Sequence, residues 1–409
     1  MRLTKLRATT VEWQSAYPWH FGGSIPSLGP VLGIDRLAGG SPFGLDPLRL
    51  VVEGHATNPN MVIAGAPGNG KSAFVKALLW NLVGAFGYRF VATDVKGEYR
   101  AIAQALGAPV LDLRPGGPTR INPLADPTGR LEFTAALASL CLDRSLDTLE
   151  RAALAAAVRM LPADPVLADL LAVLRDMPVA VCEELVIGRD DALAGTQALR
   201  FGVGELLNGA MAGMFDGHSN IAPSESPAGF VVDVSGCGTD DRVLRFAMLA
   251  GQRAVSQMLA GSKRPTLRIN DEGWRVASTL EGVRYMQHDF KLGRVDALSN
   301  ILVVHRFAEI GAQADGVAGD IAQRLVSDAD LHVMFRQGDR DDADDSMERL
   351  RLPTSTRDAL VQLPARRCLI HLRGQLALLE VVLSRRMREL ADTNQAVRGK
   401  SLEEPENAA

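Results

Sequence analysis

Residues Gly65 to Ser72 read Gly-Ala-Pro-Gly-Asn-Gly-Lys-Ser, which fills the pattern G-x-x-x-x-G-K-[ST] at every position. Ahead of it, Met61-Val-Ile-Ala64 is a short apolar run suited to a buried strand; behind it, Ala73 to Phe86 is rich in helix formers. Strand, glycine-rich turn and helix start in that order constrain the local fold tightly. Gly65, Gly68 and Gly70 can adopt backbone angles closed to other residues, so successive N–H groups can curl around a phosphate. A helix beginning near Gly70 adds the positive end of its dipole. Gly65, Ala66, Pro67, Gly68, Asn69, Gly70, Lys71, Ser72 and Ala73 are therefore the expected nucleotide-binding residues. Lys71 is expected to reach the β and γ phosphates, and Ser72 to place its hydroxyl on Mg2+. The competing reading is a glycine-rich turn with a chance lysine; the flanking strand and helix weigh against it. The expectation is a nucleoside triphosphate site, with the use of the energy left open.

Composition narrows the setting. At 409 residues the chain has room for two or three domains, or for one large domain with an insertion. A net charge of −4 gives no overall basic field, so contact with nucleic acid would need a local patch or an assembled ring. Cys141, Cys182, Cys237 and Cys368 are far apart with no C-x-x-C pair, which suits core positions in a reducing cytosol. The histidines lack metal-ligand spacing. No apolar secretory segment follows the basic start, and no stretch is long and apolar enough to span a membrane. Association with a membrane is expected only through partners.

The chain divides by pattern. Residues 1–50, with Trp13, Tyr17 and Trp19 among glycines and prolines, read as a lead-in of loops and short strands. From 51 to 128 strand and helix alternate: Tyr88 to Asp94 is a strand ending in a carboxylate, Glu98 to Leu106 a helix, Pro109 to Asp112 a further strand. Alternation of this kind implies a mostly parallel sheet covered by helices, an α/β class. Between 129 and 222 alanine and leucine recur at helical spacing, over Leu131 to Leu142, Leu149 to Met160 and Val166 to Leu174. This segment reads as an all-helical insertion. Strand signals return over 223–390, at Gly229 to Val234, Leu267 to Asn270, Ile301 to Val304, Leu331 to Phe335 and Cys368 to His371. Ala377 to Leu383 is expected as an antiparallel edge. The acidic run Asp339 to Asp345 reads as a solvated loop, and 391–409 as a disordered acidic tail.

Hydrolysis needs a carboxylate at a strand end for the Mg2+ shell and a base for water. Leu267-Arg-Ile-Asn-Asp-Glu272 offers both, Asp271 for the metal and Glu272 as the base, with Gly273-Trp274 opening a helix. An exposed turn is the competing reading. Asp94, in Asp94-Val-Lys-Gly-Glu-Tyr99, either approaches the metal and Glu272 or serves, with Glu98, a helix N-terminus. His305 closes a strand where a side chain can sense the γ-phosphate, or it is a satisfied structural histidine. Arg294 is a candidate arginine finger, acting in its own or an adjacent subunit, or a surface arginine.

These segments, in this order, resemble the FtsK–HerA superfamily of hexameric translocases. The resemblance is strongest to the motor domain of conjugative type IV secretion ATPases in their compact actinobacterial form. Asn58-Pro-Asn60, Asp94-Val-Lys-Gly-Glu-Tyr99, Arg120-Ile-Asn-Pro-Leu124, Met211-Ala-Gly-Met-Phe-Asp-Gly217, Asp271-Glu-Gly-Trp274 and Ser299-Asn-Ile-Leu-Val-Val-His-Arg306 carry it, over roughly residues 20–385. The resemblance implies a RecA-like P-loop core with a helical insertion, assembled as a homo-hexamer with nucleotide between subunits. It implies ATP and Mg2+ as ligands, and hydrolysis that powers passage of DNA or protein. By position it implies Lys71 and Ser72 on phosphate and Mg2+, Asp271 and Glu272 as the second motif, and Arg294 as the basic residue before the sensor strand. His305 departs from the glutamine of many relatives, and Gly273 from the usual alanine. About 50 residues precede the core, so docking on a channel through a large N-terminal domain is not expected.

A cytoplasmic motor for conjugation or type IV secretion, peripheral at the inner face of the cell membrane and partnered with channel or coupling proteins, is thus the leading expectation. The alternatives are a soluble HerA-like DNA translocase in repair or packaging, and an assembly switch that binds ATP with little turnover.

Overall fold

The computed structural model describes residues 25–220, 226–238, 240–259, 262–272, 275, 280–292, 297–309, 320–321, 324 and 326–391. Its apolar runs join one 11-stranded sheet. The strands are β1 (Val31–Asp35), β2 (Ser41–Gly44), β3 (Met61–Ala64), β4 (Arg89–Asp94), β5 (Val110–Asp112) and β6 (Gly229–Asp233). β7 (Thr266–Asp271), β8 (Leu298–Val304), β9 (Leu331–Met334), β10 (Arg367–Leu372) and β11 (Gln375–Val381) complete it. Their order is β2-β1-β11-β10-β9-β3-β8-β7-β4-β6-β5. From β9 through β5 every pairing is parallel; β9 to β10, β10 to β11, β11 to β1 and β1 to β2 are antiparallel.

Parallel strands are covered on both faces, which is why β3, β6 and β8 are buried along their whole length. Alternation along each strand splits the core in two. On one face lie Val62, Ala64, Val91, Leu302 and Val304, against the helices Asp241–Leu259 and Leu280–Leu292. On the other lie Met61, Ile63, Phe90, Ala92, Ile301 and Val303, against the helices Lys71–Phe86 and Arg100–Leu106. The result is a three-layer α/β core.

Between β5 and β6 the described elements are all helices: Arg130–Leu142, Thr148–Arg159, Leu167–Asp176, Val179–Leu185, Arg189–Gly195 and Gln197–Asn208. The first of them is bound into the same core as the sheet. Its Phe133 meets Tyr285 edge-on with centroids 5.5 Å apart, and the Arg253 guanidinium lies 5.5 Å from the Phe133 ring. Two segments that carry the family resemblance meet beside this layer: Ile121 donates its N–H to Met214 at 2.9 Å, and Arg120 pairs with Asp216 at 2.9 Å. Asn58-Pro-Asn60 is also a clamp, since Asn60 Oδ1 accepts from the N–H and the side-chain amide of Asn300 at the start of β8.

Two expectations fail. Asp339 to Asp345 is no solvated loop: it begins the helix Arg340–Leu350. Asp339 caps that helix by accepting the Asp342 N–H at 2.9 Å, and Asp341 and Asp342 sit in the first turn, where the dipole favours them. Ala343, Ser346, Met347 and Leu350 make its buried face. The strand expected at Ala377 to Leu383 is antiparallel but not an edge: β11 lies between β10 and β1, and β2 is the edge on that side of the sheet. Gln375-Leu-Ala-Leu-Leu-Glu-Val381 alternates in burial, and the cover on its outer side comes from residues some 340 positions earlier. The acidic tail beyond residue 391, the first 24 residues, Gly273, Trp274 and Arg294 lie outside the described residues.

Candidate nucleotide site

Register brings the predicted residues together. Ala64 pairs with Val304, Val303 with Asp271, and Asn270 with Thr93. The residues that follow, Gly65, His305, Glu272 and Asp94, therefore line the carboxyl edge of four neighbouring parallel strands, where open α/β sheets hold their ligands.

The loop is shaped by its neighbours. Gly65 has φ 152°, and a Cβ placed there would lie 2.6 Å from Phe335 Cβ, so only glycine fits beside β9. Ala66 N–H donates to Arg336 O at 2.8 Å, Gly65 N–H to His305 O at 3.2 Å, and Arg366 N–H to Asn69 O at 3.1 Å. Gly70 caps the helix Lys71–Phe86 at φ 109°, leaving the helix start free of any side-chain cap.

Lys71 is buried, and its Nζ donates to Gly65 O and, at 3.3 Å, to Ala66 O. Burial pushes its pKa down to about 8, against the pull of Asp271 and with repulsion from Lys96. His305 Nδ1 lies 3.2 Å from Lys71 Nζ, and its Nε2 lies 3.1 Å from Glu272 Oε1.

Glu272 is buried at φ 57°, a left-handed conformation uncommon for glutamate. Its Oε1 accepts from Lys96 Nζ at 2.6 Å, and Arg275 Nε approaches Oε2 at 3.7 Å. Burial works to raise its pKa, but the Lys96 hydrogen bond and charge, then His305 and Arg275, hold it below the ordinary glutamate value. Asp271 goes the other way: burial pushes it up to about 7, opposed by Lys96 and helped by the charges of Glu98, Glu272 and Asp94. Two adjacent carboxyls thus have separated acidities, the arrangement expected where one stays ionised as a base.

Asp94 follows the helix-start reading. Its carboxylate accepts the N–H groups of Lys96 at 3.2 Å, Glu98 at 3.1 Å and Tyr99 at 2.8 Å, closing the turn into the helix Arg100–Leu106. Asp233, beside it on β6, does the same for Ser235 N–H at 2.9 Å and also binds Arg100 at 2.5 Å. The part played by Lys96 was not assigned from sequence; the only signal was its place in Asp94-Val-Lys-Gly-Glu-Tyr99. Among the described residues no group of three or more His, Cys, Asp and Glu is arranged to hold a metal, and no helix is long and apolar enough to cross a membrane.

No protein-family model matches the sequence, and no curated protein matches it. Solved structures do. VirB4 of Thermoanaerobacter pseudethanolicus superposes with a TM-score of 0.73 at 20% identity, over 89% of this chain and 99% of that one. This chain has the RecA-like P-loop ATPase fold. The plasmid coupling protein TrwB bound to the ATP analogue ADPNP gives 0.59 at 14% identity, over 89% of this chain and 91% of TrwB. TrwB with ADP and Mg2+ gives 0.56, also at 14% identity, over 80% and 85%. The fold that the FtsK–HerA resemblance implied is the fold found.

Proposed function

We propose that this chain is an ATP-hydrolysing motor of conjugative transfer or type IV secretion, working as a homo-hexamer that moves DNA or protein. The observation that carries the enzymatic part is the continuous contact from Lys71 through His305 to Glu272 and Lys96. It joins a phosphate-binding lysine to an ionised carboxylate. The RecA-like fold, shared with VirB4 and with the conjugative coupling protein TrwB, supports the motor part.

The residues present fit ATP and Mg2+. The loop curls on glycines at positive φ, and the helix at Lys71 begins without a side-chain cap, so its first N–H groups are available to an anion. Ser72 and Asp271 would hold Mg2+; an acidic group pushed up to about 7 by burial is one whose charge a divalent cation restores. Bound there, Mg2+ supplies neutralisation of the β and γ phosphate oxygens.

Lys71 exchanges the loop carbonyls for phosphate oxygens, which stabilises charge as it develops. Glu272 accepts a hydrogen bond from the attacking water and takes its proton as oxygen bonds to the γ phosphorus; the bond from γ phosphorus to the bridging oxygen breaks, and ADP leaves. Lys96 and His305 hold the Glu272 carboxylate for that water. Arg294 is proposed as the finger reaching the phosphates, from its own or a neighbouring subunit.

ATP turnover by the purified chain, measured with Lys71→Ala beside it, tests the reading. Turnover lost in the variant with the fold retained supports it; equal turnover removes the site assignment. Sizing with ATP tests the ring, and a hydrolytically inactive wild type that assembles on ATP alone would favour a switch.

A further inference from the structure

Among the described residues, eight non-glycine residues have positive φ. Asp143, Met177, Val186 and Arg351 are helix C-caps, where the left-handed conformation is routine. Arg373 precedes Gly374 in the tight turn between β10 and β11. Glu272 belongs to the site already described, and Ala297 is the residue that leads into β8, its carbonyl accepting from Thr266 N–H at 3.0 Å. Arg366, at φ 66°, is the remaining one, and it lies against the phosphate loop.

Pro364 O accepts from Arg367 N–H at 3.1 Å, so Pro364-Ala-Arg-Arg367 is a β-turn with Arg366 at its third position. A positive φ there is the type II signature, for which glycine or asparagine is the unstrained choice. The turn is not a free surface loop. Arg366 N–H donates to Asn69 O at 3.1 Å and Arg366 O accepts from Val381 N–H at 3.0 Å. A Cβ on Gly70 would meet Arg366 Cα at 3.4 Å. The backbone of Arg366 is thus bonded to Asn69 of the phosphate loop and packed against Gly70, the two residues just before Lys71.

The side chain is uncommitted. Arg366 is exposed, and among the described residues its guanidinium makes no ion pair or hydrogen bond. Arg367 beside it is engaged, 2.7 Å from Glu380. A long, permanently charged fork stands at a strained position next to an anion cradle, where glycine would fit the backbone better. Arginine is the residue suited to fixing phosphate oxygens through several donors at once.

We infer that Arg366 is a nucleotide-binding residue of its own subunit, its guanidinium closing on the phosphates held by Gly65–Ser72. The inference rests on the nucleotide site proposed above and adds a contact that the phosphate-loop motif does not contain. Because it sits beside Asn69 and Gly70, Arg366 serves ADP as well as ATP.

The test is ADP affinity by calorimetry in the presence of Mg2+, together with thermal melting without nucleotide. The proteins are wild type, Arg366→Gly, Arg366→Asn, Arg351→Gly and Lys71→Ala. Arg366→Gly and Arg366→Asn are expected to melt at or above the wild-type temperature, because the turn is relieved, yet to bind ADP about tenfold or more weakly. Arg351→Gly, a left-handed arginine at a helix C-cap, is expected to bind ADP as wild type does. Wild-type affinity in both Arg366 variants, with Lys71→Ala impaired, overturns the role of Arg366 and leaves the site standing. Wild-type affinity in Lys71→Ala overturns the site and the inference together.

Discussion

Lys96 Nζ and Glu272 Oε1 are 2.6 Å apart although 176 residues separate them in sequence. The parallel pairing of β4 with β7 makes the contact, because Thr93 pairs with Asn270 and the residues that follow on the two strands, through Lys96 and Glu272, leave the sheet side by side. Glu272 stays ionised through this pairing against the effect of its own burial. Lys96→Met is therefore expected to raise the Glu272 pKa and lower ATP turnover by about tenfold or more at neutral pH. The acidic limb of the pH–rate profile should move to higher pH. A variant with unchanged turnover and an unmoved limb would remove Lys96 from the site.

His305 bridges Lys71 and Glu272, with contacts of 3.2 and 3.1 Å. His305→Ala should reduce kcat by about tenfold or more while leaving ATP binding within a few-fold of wild type, because the His305 carbonyl that holds Gly65 N–H is kept. His305→Gln should retain more turnover than His305→Ala, since the amide can still bond on both sides. Loss of binding without loss of kcat would assign His305 to the ground state instead.

Two histidines pair across β9 and β10, His332 with His371, their ring centroids 5.7 Å apart. Burial pushes His332 down to about 4, with the Val326 carbonyl opposing and His371 adding to the fall. The folded pKa is below the unfolded one, so this contribution to stability is complete above about pH 6.5 and is lost as pH falls toward 4. Chemical denaturation across that window should show a loss of about 3 kcal/mol. His332→Gln should flatten the slope; an unchanged slope would place the acid sensitivity elsewhere.

Asp339 caps the helix Arg340–Leu350 through the Asp342 N–H at 2.9 Å. Asp339→Ala is expected to cost about 1 kcal/mol, and Asp339→Asn a few tenths, in urea denaturation. Equal costs would show that charge near the dipole matters more than the cap.

The phosphate loop and the strand before it were legible because a strand buried on both faces and a glycine turn leave a local signature. Asp271-Glu272 was legible as a carboxylate pair closing a short strand pattern, Leu267-Arg-Ile-Asn270, followed by a glycine. The positive φ of Glu272, its contact with Lys96 and the nearness of Arg366 to Asn69 were not, since each depends on strand order or on segments far apart in sequence. The same cause misplaced Ala377 to Leu383: an edge is defined by a missing neighbour, and the neighbour here is β1. Asp339 to Asp345 misled through charge. Counting carboxylates hid the buried spacing of Ala343, Ser346, Met347 and Leu350.

Glu272→Gln separates binding from chemistry most directly, because the change keeps size and one acceptor oxygen but removes the negative charge and the proton acceptor. ATP affinity and steady-state turnover should be measured on the same preparation. Affinity within a few-fold of wild type with kcat lowered by about 10^2 to 10^4 is the expected result. Turnover equal to wild type would contradict the role of Glu272, and with it the hydrolysis site described here.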